Sequence, residues 1–304
     1  MSLLKKVRRR YEPGLKLYYA SRWVRGRHVS EEEPIIIGGC DRSGTTLLRA
    51  VFDCHPDIAA GPEAWVFTYR IDPDWLASEF GMDPAWVREL KSNAPSLGVF
   101  IERFMGAFAE REQKPIWCEK SPRNVLRLDY IWRTFPKAKF VHIIRDGRDV
   151  SCSLRTHPKR IRVGNEYVPN TVRRPIRDCI DHWVKYVTAG LEHRDDPRYT
   201  EVRYEDLIAD YAGTTRRLCE DLGIEWTPEL LERERIQGER ADTEIVNPEV
   251  RQPLYTKAAG RWRSDLSDEE LRIIRERAGG LLDRLGYTDE PALRDPLPEH
   301  RAAS

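Results

Sequence analysis

The chain has 304 residues, 40% hydrophobic and 10% aromatic, enough to build the core of one large domain or two small ones. Its 51 basic residues almost cancel its 50 acidic ones, and a net charge of +1 carries no bulk signal for a nucleic-acid partner; none is expected. No window reaches the roughly 18 apolar residues of a membrane span, and Cys40, Cys54, Cys118, Cys152, Cys179 and Cys219 form no C-x-x-C pair. Neither a metal finger nor a disulfide framework is indicated, and the cysteines read as reduced, structural residues.

Residues 1–30 hold nine Lys/Arg against one acid, Glu12, and the acidic run Glu31-Glu32-Glu33 follows. This head reads as a solvated helix or frayed terminus; a peripheral contact with an anionic membrane stays open. The stretch "YEPGLKLYYASRW" is too polar, and too broken at Pro13, for a signal peptide. A soluble, cytoplasmic protein is expected.

The first strand spans 34–38, where three consecutive isoleucines predict burial on both faces. A helix over 45–54 follows, with Leu48, Val51 and Phe52 on one face. Residues 74–112 read as mainly helical with an interruption at Asn93-Ala94-Pro95. A short strand over 115–118 and a helix over 125–135 lead to the strong strand 139–144, "KFVHII". The next helix starts at Asp146, and Asp146 with Asp149 fits a capping arrangement. A helix at 176–191 and a strand at 199–203 come next, then two helices ended by Gly223 and Gly286 as C′ caps. Apolar strands separated by helices predict an α/β fold with a mostly parallel sheet flanked by helices. The organisation is a basic segment 1–33, one domain over 34–288 and a polar tail 289–304. Within the domain, residues 155–177 carry seven Arg/Lys against Glu166 alone, with Pro158, Gly164, Pro169 and Pro175 predicting irregular structure. This segment is either a lid over an anionic ligand or surface with counter-charges elsewhere.

Gly39, Gly44, Thr45 and Thr46 match G-x-x-x-x-G-x-T between the first strand and its helix, the layout of a three-layer P-loop fold. Backbone N–H groups at a helix N-terminus bind anions, and Arg42 and Ser43 add donors. Thr45 stands where an ATPase loop has lysine, so a triphosphate and its magnesium lose an anchor while a single phosphate on a nucleoside does not. A second anion site is indicated in "FVHIIRDGRDVSCS", where strand-end Arg145 and Ser153, eight residues on, can converge at the carboxyl edge of the sheet.

At these residues the sequence resembles the sulfotransferases that use 3′-phosphoadenosine 5′-phosphosulfate (PAPS). Their 5′-phosphosulfate loop, [PKR]-x-G-T-T-[LW], is similar to Arg42-Ser43-Gly44-Thr45-Thr46-Leu47, and their 3′-phosphate pair to Arg145 and Ser153. "VRYEDL" resembles the adenine-side segment, making Tyr204 a nucleotide contact, and "AAGRWRSDL" a late nucleotide-covering segment with Arg261 as a phosphate contact. The stretch "CDRSGTTLLRAVFDCHPDIAAGPE" resembles the tyrosylprotein branch, with likeness also to the carbohydrate branch. That likeness puts the general base on Glu63, a catalytic arginine on Arg42 and, through "CEKSPRN", the catalytic lysine on Lys120. Two departures stand out: Pro62 replaces the first of a glutamate pair, and Arg240-Ala241-Asp242-Thr243 lacks the branch's serine. Pro122 lies where the cytosolic small-molecule branch has its histidine, which argues against that mechanism.

The resemblance implies in-line transfer of a sulfuryl group from PAPS to an acceptor hydroxyl of a glycan, a tyrosine or a small alcohol, leaving adenosine 3′,5′-bisphosphate (PAP). Glu63 would take the proton, while Lys120 and Arg42 would offset charge on the leaving oxygen. Without the resemblance, Glu63 reads as a surface acid; for Lys120 the alternative to the catalytic role is an ion pair with neighbouring Glu119. His55 and His142 read as structural, and no metal is required. Two alternatives remain: a P-loop nucleotide or small-molecule kinase, and a non-catalytic nucleotide-binding relative.

Overall fold

A computed structural model describes residues 21–68, 70–156, 159–163, 166–170, 173–231 and 259–287. Most of the basic head, Tyr69, residues 240–243 and the polar tail lie outside them. Five parallel strands form the main sheet in the order β2-β3-β1-β4-β7. They are β1 (Ile35–Gly39), β2 (Ile58–Ala60), β3 (Ile116–Lys120), β4 (Lys139–Ile144) and β7 (Tyr199–Arg203). β5 (Lys159–Val163) and β6 (Glu166–Asn170) pair separately as an antiparallel hairpin, from Lys159 opposite Asn170 to Val163 opposite Glu166. Within the segment expected to be irregular, residues 159–163 and 166–170 thus form a two-stranded ribbon, with Pro169 tolerated because such a ribbon has only edge strands.

Strand periodicity divides the core. Ile35, Ile37, Cys118, Val141 and Ile143 bury one face of the sheet under α1 (Thr45–Asp53), α8 (Tyr204–Ala209) and α9 (Tyr211–Leu222). Ile36, Trp117, Phe140 and Ile144 bury the other, continuous with α4 (Leu97–Arg111), α5 (Leu128–Thr134), α7 (Ile176–Leu191) and α11 (Asp268–Arg284). That is the expected three-layer arrangement. The helical region 74–112 resolves into α2 (Pro73–Phe80), α3 (Pro84–Asn93) and α4, the first two opening on proline with an aspartate cap, Asp72 and Asp83. Residues 125–135 split into a 3-10 turn, Pro122–Leu126, and the shorter α5. Gly223 and Gly286 have the left-handed φ of 63° and 73° expected of C-caps.

β1 sits between β3 and β4, with Ile36 opposite both Glu119 and Phe140. The chain leaves β1 toward β2 and β3 on one side and later takes up β4 on the other. The crevice at the carboxyl end of β1 and β4 is therefore a topological switch point, where α/β sheets take their ligands. No helix among the described residues is long and apolar enough to cross a membrane. All six cysteines are buried and free.

Candidate active site

The loop after β1 sets the first wall. Arg42 adopts φ 71° and Gly44 φ 97°, and α1 begins without a side-chain cap. A Cβ on Gly44 would lie 2.5 Å from the Tyr204 ring, so glycine is required by conformation and by space. Ser43 is fully buried, and its hydroxyl has no hydrogen-bond partner among the described residues. A buried hydroxyl without a protein acceptor, next to Gly44 at the N-terminus of α1, is compatible with an anion held at this loop.

The second wall comes from β4 and α6 (Gly147–Thr156). Arg42 Nε donates to Ser153 Oγ at 2.9 Å, and Arg145 Nη1 donates to the Arg42 carbonyl at 3.1 Å. The Arg145 guanidinium lies 4.5 Å above the Tyr204 ring, a cation–π contact. Arg42, Gly44, Arg145, Ser153 and Tyr204 are therefore joined directly. Tyr204 meets Gly44 and Arg145 from the start of α8.

Backbone bonds on both sides hold Arg145. Its carbonyl accepts from Trp183 Nε1 at 2.9 Å, and the Asp146 amide donates to Glu205 at 2.9 Å. Tyr287 donates to the other Glu205 oxygen at 3.0 Å. Asp146 binds Arg148 in a buried ion pair at 2.8 Å. Asp149 does not cap its own helix as expected: it accepts the amides of Gly260 (2.7 Å) and Trp262 (3.0 Å). Burial pushes its carboxyl above the usual range, and those amides pull against the shift. Through Asp149 the segment carrying Arg261 is tied to α6, one turn before Ser153. The Arg261 guanidinium itself engages Asp265 at 2.6 Å.

The third wall is β3 and the loop after β2. Lys120 Nζ donates to Glu63 at 2.7 Å and to Thr46 Oγ1 at 3.3 Å. Its side chain is 1% exposed and that of Glu63 30%, so the carboxylate faces the opening while the ammonium is enclosed. The partner of Lys120 is thus Glu63, not Glu119. Adjacent residues of a strand point to opposite faces, and Glu119 turns away to bind Ser121 at 2.6 Å and Asn124. Burial pushes the Glu119 carboxyl up to about 7, against the pull of Ser121, Asn124 and the Ala64 amide. The cation missing from position 45 arrives from β3, with Lys120 at the hydroxyl of Thr46.

Sequence reasoning left out Glu119, Ser121, Asn124 and Asp149 as site-building residues. Trp65, one of the aromatics of segment 64–112 that could line an acceptor pocket or be core, adopts φ 55°, a strain of order 1 kcal/mol for a non-glycine residue. His55 bonds the Glu225 carbonyl at 2.7 Å, and buried His142 meets Tyr199 at 2.5 Å, both as structural groups. Burial drives the His142 imidazole down to about 3, so it stays neutral.

The profile described as the sulfotransferase family matches residues 34–228. Protein-tyrosine sulfotransferase 1 of Danio rerio is 27% identical over 266 residues, 83% of this chain and 72% of that protein. In fold, the chain is similar to the sulfotransferase domain of the Synechococcus PCC 7002 olefin synthase, at 21% identity and TM-score 0.62, covering 85% of this chain and 98% of that one. A mouse sulfotransferase solved in complex with PAP shares the fold at 13% identity and TM-score 0.53, over 86% and 90% of the two chains. With a matching profile over residues 34–228, well over half of its length, the chain belongs to the sulfotransferase family.

Proposed function

We propose that the protein transfers the sulfuryl group of PAPS to an acceptor hydroxyl, and that the phenolic hydroxyl of a tyrosyl peptide is its acceptor. The observation that carries the reading is Lys120, enclosed at the end of a P-loop without a lysine, joined to Glu63 and to Thr46. A kinase reading would need that loop to hold a triphosphate with magnesium. The tyrosine acceptor is supported by the name of the Danio rerio relative.

PAPS supplies the sulfuryl group and a phosphate leaving group. Ser43, Gly44, Thr45 and Thr46 receive the 5′ end through loop amides and hydroxyls, and Arg42 adds positive charge there. Arg145 and Ser153 take the 3′-phosphate from the other side of the crevice. Tyr204 backs both by packing on Gly44 and Arg145, and Arg261 closes the nucleotide side. Lys120 offsets charge on the departing oxygen, and Glu63 accepts the proton of the attacking hydroxyl. The protein thus positions groups and stabilises charge, as in phosphoryl transfer.

Thermal-shift titration separates the donor classes. PAP is expected to raise the melting temperature and ATP–magnesium to leave it nearly unchanged; stabilisation by ATP–magnesium alone would overturn the reading. Labelled sulfate from PAPS, supplied with tyrosyl peptides beside glycans and simple alcohols, identifies the acceptor. Loss of the peptide signal with retention of another would leave the donor assignment intact and replace the acceptor. At the loop itself, Gly44→Ala is expected to weaken PAP by at least about tenfold, since the added methyl meets the Tyr204 ring and φ 97° disfavours alanine. Calorimetry measures this, and an unchanged Kd would remove the loop from the donor site.

A further inference from the structure

Glu119 is fully buried on the face of the sheet opposite Lys120, and nothing in the transfer chemistry above uses it. Its surroundings are specific. Oε1 accepts the Ala64 amide at 3.3 Å and the Ser121 hydroxyl at 2.6 Å; Oε2 accepts the Asn124 amide group. Asn124 Nδ2 also donates to the Ile37 carbonyl at 3.0 Å, and Ser121 Oγ accepts the Trp65 amide at 3.0 Å. Each bond lands beside a residue of the site. Ala64 follows Glu63, Ser121 follows Lys120, and Ile37 lies in the strand that runs into the phosphate loop.

We propose that Glu119 is the positioning residue of the transfer site, its carboxylate setting Glu63 and Lys120 against the phosphate loop by gathering the three segments that carry them. This rests on the sulfotransferase reading of the site and adds a residue to it.

The chemistry calls for a carboxylate at this place. Three donors converge on two oxygens, and only an ionised carboxyl offers acceptor sites on both. A glutamine would turn an NH₂ group toward one of those donors. The loop it holds is a strained one: Trp65 keeps φ 55° while its amide is fixed by Ser121, itself bonded to Glu119. At its other end the loop is pinned by buried Arg49, which donates to the Ala60 carbonyl at 3.1 Å. Between these anchors, Glu63 has one side chain's freedom to meet Lys120. Release of the Glu119 anchor lets the backbone at 63–65 relax, and the Glu63–Lys120 distance with it. Burial pushes the Glu119 carboxyl up to about 7 against the pull of its donors, so the ionised form that this role uses prevails as the pH rises above that value.

The test uses the full chain with Glu119→Gln, Glu119→Ala and Ser121→Ala. Measured together are kcat for sulfuryl transfer, KM for PAPS, PAP affinity by calorimetry and melting temperature. Glu119→Gln is expected to lower kcat by about 30-fold, within the roughly 10²-fold that a 1 Å misplacement costs, with PAP affinity within about threefold of wild type. Ser121→Ala is expected to lower kcat in the same sense by about fivefold, and it keeps the test open if Glu119→Ala fails to fold. A folded Glu119→Gln protein with kcat within threefold of wild type overturns the proposal. So does a PAP affinity that falls in proportion to kcat, because that marks general scaffolding. An active wild type beside an unimpaired variant sinks this inference alone. A wild type that neither binds PAP nor transfers sulfate sinks the donor reading, and this inference falls with it.

Discussion

Lys120→Met is expected to lower kcat by about 10²–10³-fold, the loss typical of removing one preorganised group aimed at developing charge, while PAP binding persists. Methionine keeps an unbranched side chain of similar reach and takes away only the charge and its donors. The ammonium lies where β3 ends, 2.7 Å from Glu63 and 3.3 Å from Thr46 Oγ1. At 1% exposure it is shielded from water, so its field at the reacting oxygen is screened little. A surface lysine at the same distance would contribute far less. The enclosed charge is tolerated because Glu63 pairs with it, and an anionic donor would pair with it further. In the variant, Glu63 loses its partner but stays solvated at 30% exposure, so the melting temperature is expected to change by only a few degrees. Single-turnover rates at saturating PAPS, with PAP affinity measured in parallel, check this. A rate within threefold of wild type would remove Lys120 from the chemistry, and a parallel loss of PAP affinity would recast it as a donor-binding group.

The parts of the fold legible in the sequence are those whose burial is written in residue type. The isoleucine run of β1 and "KFVHII" of β4 sit in the sheet centre and had to be apolar on both faces. β2 was not legible: three residues, two of them alanine, form a strand here only because β3 pairs with them in register. The β5–β6 ribbon was hidden by its prolines and glycine, which punctuate a loop and a hairpin alike. In the candidate site, the glycine-bearing loop after β1 and the convergence of Arg145 and Ser153, which meet through Arg42, were legible because strand-to-helix junctions fix them by local spacing. The alternative of a Lys120–Glu119 ion pair was already disfavoured by strand alternation, which sets the two on opposite faces. Asp149 and Asn124 act through segments 111 and 87 residues away, and local spacing carries no trace of such contacts. Pro62, a departure from the branch pattern, does not keep Glu63 from Lys120.

Glu63→Gln is expected to slow transfer by about 10²–10⁴-fold, the range for loss of a general base, and to do so with little change in PAP affinity. The amide keeps the shape of the side chain and an oxygen that accepts from Lys120, so the site's geometry is largely retained while its proton acceptor is removed. Among the groups that touch Lys120, Glu63 alone combines a carboxylate with a partly exposed position, which an incoming hydroxyl can reach. Glu119 cannot take over: it is enclosed on the opposite face and its oxygens are committed to Ala64, Ser121 and Asn124. The variant does place a nearly fully buried ammonium beside neutral acceptors only, so it is expected to melt at a lower temperature than Lys120→Met, and PAP is expected to recover more of that loss than in wild type. Glu63→Asp supplies the contrast. Its carboxylate keeps the charge pair's sign but is drawn back by one methylene, so its rate should fall between wild type and Glu63→Gln. A Glu63→Gln protein that transfers as fast as wild type would move the base elsewhere. Equal rates for the aspartate and glutamine variants would instead say that reach, not basicity, is what position 63 supplies.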